Sequence, residues 1–379
     1  MNIRCWPVVR RAYILRTAFS IVLLAIAGWA CDPIVTVFDD VEEAVYYQAD
    51  NINSAPTSVD SLVVMTWNIK YGGGDIDFWW ACYDDRVLMT EDEVLANLDS
   101  LVAYIDVVDP DVLLLQEVDV GSKRAGYVNQ MQYILDNTSG LNYGVYASMW
   151  QVQFAPSDGL GRADLGPAIL SRWPLHEGER IGLDLRTDQD ALTTYFYIRR
   201  CIVKARIDIP LLEDFYALTV HTAAWSQDGT KIRHIDRFKS ELQQLADEQS
   251  WFVAGGDLNT IPPGSAMTHN FPDSKCEEGD FEGDDYRDEL QLGVLDELYE
   301  RYPSAISLSE YQQAGDQSPY FTYGDKPDSL GFTRKLDYLF TNLDWIDGSA
   351  HTHIGIASGG RTLSDHAPVS AILSLTGTP

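Results

Sequence analysis

Five apolar, β-branched runs in this 379-residue chain break off into side chains able to move protons or hold cations. Leu62-Val63-Val64-Met65-Thr66-Trp67 leads to Asn68, Val112-Leu113-Leu114-Leu115 to Gln116-Glu117, and Tyr216-Ala217-Leu218-Thr219-Val220 to His221. Trp251-Phe252-Val253-Ala254-Gly255-Gly256 leads to Asp257-Leu258-Asn259, and Lys335-Leu336-Asp337-Tyr338-Leu339-Phe340 carries Asp337 within it. A sixth cluster, Ser364-Asp365-His366, precedes the run Ala367 to Leu375. A neutral imidazole takes a proton from water near pH 7, which makes His366 the natural general base once a carboxylate orients its other nitrogen. Hard divalent cations prefer oxygen ligands; Glu117 is the best of these in the chain, with Asn68 as an oxygen donor beside it. An isolated polar strand end is ordinarily a cap, and His176, His269, His351 and His353 read as ordinary core or surface histidines. Six polar ends together read as one site assembled from the whole chain.

Rigid elements must carry such a site. Short apolar runs of this kind read as buried strands, and a strand delivers its terminal side chain rigidly to the rim of a sheet. Asp257 and Asn259, two apart, fall on the same side of an extended segment. Between the strands, Val94, Leu95, Leu98, Leu101, Val102 and Ile105 have the spacing of an amphipathic helix over Glu91 to Val107, ending before Asp109-Pro110. Val128 to Leu135 and Ile232 to Leu245 read as further helices, and Ala168 to Leu170, Tyr195 to Ile209 and Phe215 to Val220 as further strands. The stretch Pro262 to Leu330 is the least regular, and its acidic run 277–285 lacks the rhythm of a calcium loop and reads as solvated. Consecutive aromatics at Phe78, Trp79 and Trp80 read as packing a loop onto the domain. Outside the N-terminal segment the cysteines are Cys82, Cys201 and Cys276, an odd number without zinc-site spacing, so no pairing is assigned. His351 and His353 share a strand face, with no carboxylate partner in sight for a second metal.

In this order the six clusters resemble the endonuclease/exonuclease/phosphatase superfamily, which includes DNase I-like nucleases, neutral sphingomyelinases and inositol polyphosphate 5-phosphatases. The resemblance runs from about Leu62 to Leu375. Its most specific words are Gly256-Asp257-Leu258-Asn259 and Ser364-Asp365-His366; Thr66-Trp67-Asn68, Gln116-Glu117, Lys335-Leu336-Asp337-Tyr338 and Ala168-Ile169-Leu170-Ser171-Arg172-Trp173-Pro174 support them. It implies an α/β (α+β) fold, a DNase I-like four-layer α-β-β-α sandwich of two mixed β-sheets flanked by helices. It also implies Mg2+, with Mn2+ as the substitute, and hydrolysis of a phosphodiester or phosphomonoester. That reaction needs a water nucleophile, neutralised phosphoryl oxygens and help for the leaving oxygen.

The matching positions imply the division of labour. Asp337 matches the aspartate that orients the base, and Asp365 would lie beside the metal. Asp257 matches the residue that activates water or assists the leaving group. Asn259 and His221 match the donors to phosphoryl oxygens. Three departures bear on substrate choice: Gly166-Pro167-Ala168 where Gly-Asn-Ala is usual, Thr222-Ala223-Ala224-Trp225 after His221 where a leucine is usual, and the stretch from Gly72 to Trp80. A non-catalytic metal- or phosphate-binding protein on the same fold, and an extracellular nuclease, are the alternatives.

A formal charge of −30 repels polyanions at long range, so a phospholipid headgroup or small phosphate is favoured over long nucleic acid. The N-terminus carries an address. Arg4, Arg10, Arg11 and Arg16 precede or open the apolar stretch Thr17 to Ala30, shorter than the ~20 residues that cross a bilayer and laid out as a secretory signal. Cys31 follows Gly28-Trp29-Ala30 as in a bacterial lipoprotein signal. The expectation is a signal over 1–30, lipidation and membrane attachment at Cys31, a tether over 31–60 and a domain over 61–379. The product would be a monomeric envelope lipoprotein or secreted protein.

Overall fold

The computed structural model describes residues 34–76, 78, 86–210, 212–224, 226–274, 286, 293–325, 327–355, 357–358 and 361–376. The signal and Cys31, Cys82, Cys276, Trp79, Trp80, Trp225 and the acidic run 277–285 lie outside the described residues. In chain order the strands are β1 (Val41–Glu43), β2 (Val45–Gln48), β3 (Ser61–Asn68), β4 (Val112–Asp119), β5 (Tyr143–Tyr146) and β6 (Trp150–Ala155). There follow β7 (Gly161–Ser171), β8 (Leu175–Gly182), β9 (Cys201–Ile207), β10 (Phe215–His221), β11 (Trp251–Asp257) and β12 (Asp337–Thr341). The last are β13 (Asp344–Trp345), β14 (His351–Thr352), the hairpin β15 (Ala357–Ser358) and β16 (Arg361–Thr362), and β17 (Val369–Ser374). The main helices are α1 (Glu91–Val108), α2 (Gln130–Asn137), α3 (Ala191–Phe196) and α4 (Thr230–Asp247).

Two mixed sheets result. One has the order β1-β8-β9-β10-β11-β12; the other runs β13-β17-β3-β4-β7-β5-β2, with β14 on β17 and β6 on β7. Side-chain alternation explains how they stack. On β10, β11 and β12, Leu218, Val220, Phe252, Ala254, Tyr338 and Phe340 pack outward against Ile235, Phe238 and Leu242 of α4. The alternate residues Ala217, Val253 and Leu339 face inward and join Val64 and Leu114 in the main core. The helices α1 and α2 bury Leu98, Leu101, Met131 and Ile134 in that same core, and the layers are those of the expected α-β-β-α sandwich. A capping box fixes the start of α1: Thr90 accepts from Glu93 N, and Glu93 accepts from Thr90 N at 2.9 Å.

Two expectations are corrected. The segment assigned as a tether supplies an edge strand to each sheet, β1 pairing with β8 and β2 with β5. Val45, Tyr46 and Tyr47 have the β-propensity for this, Tyr47 packs edge-on against Tyr146, and the added strands cover otherwise bare sheet edges. The folded domain therefore begins before Ser61. The strand expected over Tyr195 to Ile209 starts only at Cys201. Ahead of it Asp190 caps α3, its Oδ1 accepting from Leu192 N and Thr193 N at 2.9 and 3.1 Å.

Candidate active site

Register brings the polar ends into rows. On the six-stranded sheet, His221 pairs with Asp257 and Asp257 with Asp337, three inward-facing residues side by side. On the other sheet Asn68 pairs with Gln116. Gln116 is fully buried and ties the two sheets together just beneath the rim, its Nε2 donating to Thr66 Oγ1 at 3.1 Å and Thr219 Oγ1 at 2.8 Å. Strict alternation would turn Glu117 to the opposite face. Instead the β4–β7 register slips between Leu115 and Val118, and Glu117 takes a left-handed φ of 58°. This bulge re-aims its carboxylate at the site, the usual use of such strain. Gly256 has a similar local reason: its φ is +130°, and a Cβ there would lie 2.1 Å from Val220 O.

The last cluster is clamped to the first. Ser364 Oγ donates to Asn68 O at 2.7 Å and accepts from His366 N at 3.1 Å, while Trp67 Nε1 donates to His366 O at 2.9 Å. Thus His366 is held with its Nδ1 2.8 Å from Asp337 Oδ2 and its Nε2 3.6 Å from Asp257 Oδ2. Asp257 Oδ2 is also 3.2 Å from His221 Nε2, and Glu117 Oε1 is 3.8 Å from His221 Nδ1. Asn68 Nδ2 completes the ring, donating to Glu117 Oε1 at 3.3 Å and Asp257 Oδ2 at 3.2 Å.

Six of the eight sequence-derived residues thus form one linked cluster. The other two stand at its border. Asn259, at a left-handed φ of 48°, turns back so that its N–H donates to Asp257 Oδ1 at 2.9 Å and its Nδ2 to Thr222 O at 3.1 Å. Asp365 lies at the outer edge, 4.0 Å from Lys70 Nζ. One detail differs from expectation: Asn68 Oδ1 accepts from Lys70 N at 3.1 Å, so the amide meets the carboxylates through nitrogen, and only a half-turn of the amide offers its oxygen to a cation.

The electrostatics follow from crowding carboxylates out of water. Burial pushes Glu117 above the usual carboxylate range, and the like charge of Asp365 adds to it. Burial pushes Asp257 up to about 7, with Asp337 adding and His366 opposing. Burial disfavours the charged form of His366, but the carboxylates of Asp337 and Asp257 outweigh it and push the imidazole up to about 10. Burial, reinforced by the Arg200 guanidinium, keeps His221 neutral.

Donor chemistry provides the fit test for a metal. Among the described residues no group of three or more His, Cys, Asp or Glu side chains converges on a point. Magnesium needs no such cage, being held by one or two carboxylates while retaining waters. Glu117 in the cluster and Asp365 at its border are partly exposed carboxylates, at 22% and 19%, and the like charge of Asp365 on Glu117 is what a cation held by Glu117 would relieve. The residues fit, with Glu117 first.

Several supporting residues carry no signal in the sequence. Thr322, from the irregular stretch, accepts at Oγ1 from Leu336 N and Asp337 N and through its carbonyl from Ala367 N, bracing both halves of the His366–Asp337 pair. Tyr323 lies 4.8 Å from the His366 ring. Arg200, almost fully buried, donates to His221 O at 3.1 Å. Only a threonine or arginine in three dimensions, not in a word, marks these roles.

The sequence profile of the Endonuclease/Exonuclease/phosphatase family matches residues 65–366. Among solved structures, an endonuclease/exonuclease/phosphatase from Beutenbergia cavernae aligns at 19% identity with a TM-score of 0.52, covering 85% of this chain and 73% of that one. A mannosyl-6-phosphatase from Bacteroides thetaiotaomicron aligns at 13% identity with a TM-score of 0.51, covering 83% of this chain and 100% of the other. At these identities the likeness is one of fold. No curated protein sequence matches the chain.

Proposed function

The chain belongs to the Endonuclease/Exonuclease/phosphatase family, and we propose that within it this is an exported, magnesium-dependent phosphoesterase acting on a phosphodiester or phosphomonoester. The observation that carries this reading is the His366–Asp337 pair at 2.8 Å with Asp257 on the other imidazole nitrogen. In the proposed reaction, His366 Nε2, once neutral, takes the proton of the attacking water while Asp337 fixes the ring and balances the imidazolium that forms. Burial raises the Asp257 carboxyl above the usual carboxylate range, which suits it to pass a proton to the leaving oxygen, and this is the role we assign it over water activation. His221 and Asn259 donate to phosphoryl oxygens, Asn259 after releasing Thr222. A divalent cation at Glu117, with Asn68 and Asp365 around it, would neutralise the phosphoryl group and replace protons in balancing the clustered carboxylates.

The signal-like layout of the N-terminal sequence and Cys31 support attachment to an envelope membrane, and the acidic charge favours phospholipid headgroups or small phosphates. The test is a panel of plasmid DNA, sphingomyelin, phosphatidylcholine, inositol phosphates and bis-para-nitrophenyl phosphate, with Mg2+ and then with EDTA. The expected result is hydrolysis of a lipid or small substrate that EDTA abolishes and Mg2+ restores. Hydrolysis indifferent to EDTA, or none with any divalent ion, contradicts the reading.

A further inference from the structure

The β6–β7 hairpin does not stop at the rim of the sheet. Gly166 of β7 pairs with Val118, one residue past Glu117, and β7 extends outward from there to Gly161, paired with β6 as far as Ala155. Past the rim this hairpin has a small core of its own, built on Val152, Ala155, Leu160 and Ala163, with Phe196 of α3 packed against it. Trp150 Nε1 donates to Phe196 O at 2.7 Å, fastening α3 to the hairpin as one lobe beside the mouth of the site. The lobe presents apolar side chains to water: Phe154 is 60% exposed, Leu192 70% and Tyr195 43%. One exposed apolar residue is ordinary, but three on one projecting lobe beside a catalytic mouth are not explained by the lobe's own packing.

The course of the chain indicates what covers them. Val35 bridges Val152, Thr36 N donates to Gln151 O at 2.9 Å, and Gln153 N donates to Ile34 O at 2.8 Å, so the N-terminal segment joins the domain on this lobe. In sequence only four residues, 31–34, separate the apolar stretch ending at Ala30 from Val35. Fully extended, these reach no more than ~14 Å. A chain held in a bilayer by that stretch, or by lipid on Cys31, carries this lobe at the membrane surface. The formal charge of −30 opposes an anionic surface, leaving apolar insertion into a zwitterionic one as the mode of contact.

We infer that the β6–β7 and α3 lobe is an interfacial docking surface that seats Phe154, Leu192 and Tyr195 among the headgroups of a zwitterionic bilayer and sets the catalytic mouth at the height of phospholipid phosphoesters. The choice of substrate class rests on the phosphoesterase reading; the docking does not. The test uses the full chain in phosphatidylcholine vesicles, compared with the doubly substituted Phe154→Asp, Leu192→Asp chain, whose altered positions are both exposed. Hydrogen exchange should slow at the hairpin tip and α3 when vesicles are present, in the original chain only. Turnover of vesicle phosphatidylcholine should fall about tenfold or more in the variant, while turnover of soluble bis-para-nitrophenyl phosphate stays unchanged. A lobe without vesicle-dependent protection, or a variant equal to the original on vesicle lipid, overturns the docking proposal. If the original chain cleaves neither substrate, the phosphoesterase reading fails, and with it the substrate class, while the exchange data still decide the docking.

Discussion

His366 is buried and His353 half-buried, in opposite electrical surroundings. His366 has a carboxylate on each nitrogen and is pushed up, whereas His353 has only hydroxyls, Tyr104 Oη on Nδ1 and Ser370 Oγ on Nε2, each at 2.8 Å. With both nitrogens engaged, His353 has none free to join His351 on a metal. Burial, with His351 beside it, lowers the His353 imidazole from 6.5 to about 4. A histidine depressed in the folded state leaves the unfolded chain with more bound protons between those values, so its contribution is whole above pH 6.5 and is lost as pH falls toward 4. The melting temperature of the original chain should therefore drop more between pH 7 and pH 4.5 than that of His353→Gln. Parallel drops would mean that His353 takes up its proton at the same pH in the folded and unfolded chains. The same contrast explains what the sequence could reveal at this scale. A histidine flanked by Ser364 and Asp365 announces a polar site, but the difference between a carboxylate and a tyrosine hydroxyl beside an imidazole is decided by residues 29 and 249 positions away.

The elements that aim the site depend on charges that pack rather than react. Just past the Glu117 bulge, Asp119 receives both Arg124 Nε and Nη2, at 2.8 and 3.0 Å, and the guanidinium stacks 3.9 Å from the Tyr71 ring centroid. This pair locks the end of β4 to the turn after Asn68, where Lys70 and Tyr71 adopt left-handed φ values of 47° and 43°. Arg124→Ala strands a fully buried carboxylate and should cost about 3–5 kcal/mol in denaturant unfolding. A cost near zero would show that the turn holds itself. Strands that end in residues of the candidate site were legible because both their apolar runs and their polar ends leave a mark. The edge strands β1 and β2 were not: three or four half-exposed residues have no periodicity, and only the bare edges of β8 and β5 make them strands. The helix α3 was hidden for a related reason, since Tyr195, Phe196 and Tyr197 have strand-like propensity and the single cap at Asp190 overrides it.

At the scale of the molecule, neither sheet holds a complete site. The six-stranded sheet contributes His221, Asp257 and Asp337; the other contributes Asn68 and Glu117, and the segment entering its strand β17 contributes His366. The Gln116 rung and the Trp67 and Ser364 clamps hold the two contributions in contact. The order of the six words was readable along the chain, but their meeting at one rim depends on the stacking of two sheets, which no local word encodes. The most direct test is therefore kinetic coupling across the sheets, measured as kcat/KM on one phosphodiester with Mg2+ for His366→Ala, Asp257→Ala and the double variant, each shown folded by its melting temperature. If the two residues form one catalytic unit, each single change costs about 10²–10⁴-fold, and the double costs little more than the worse single. Independent, multiplying losses, or single variants that turn over normally, would contradict it.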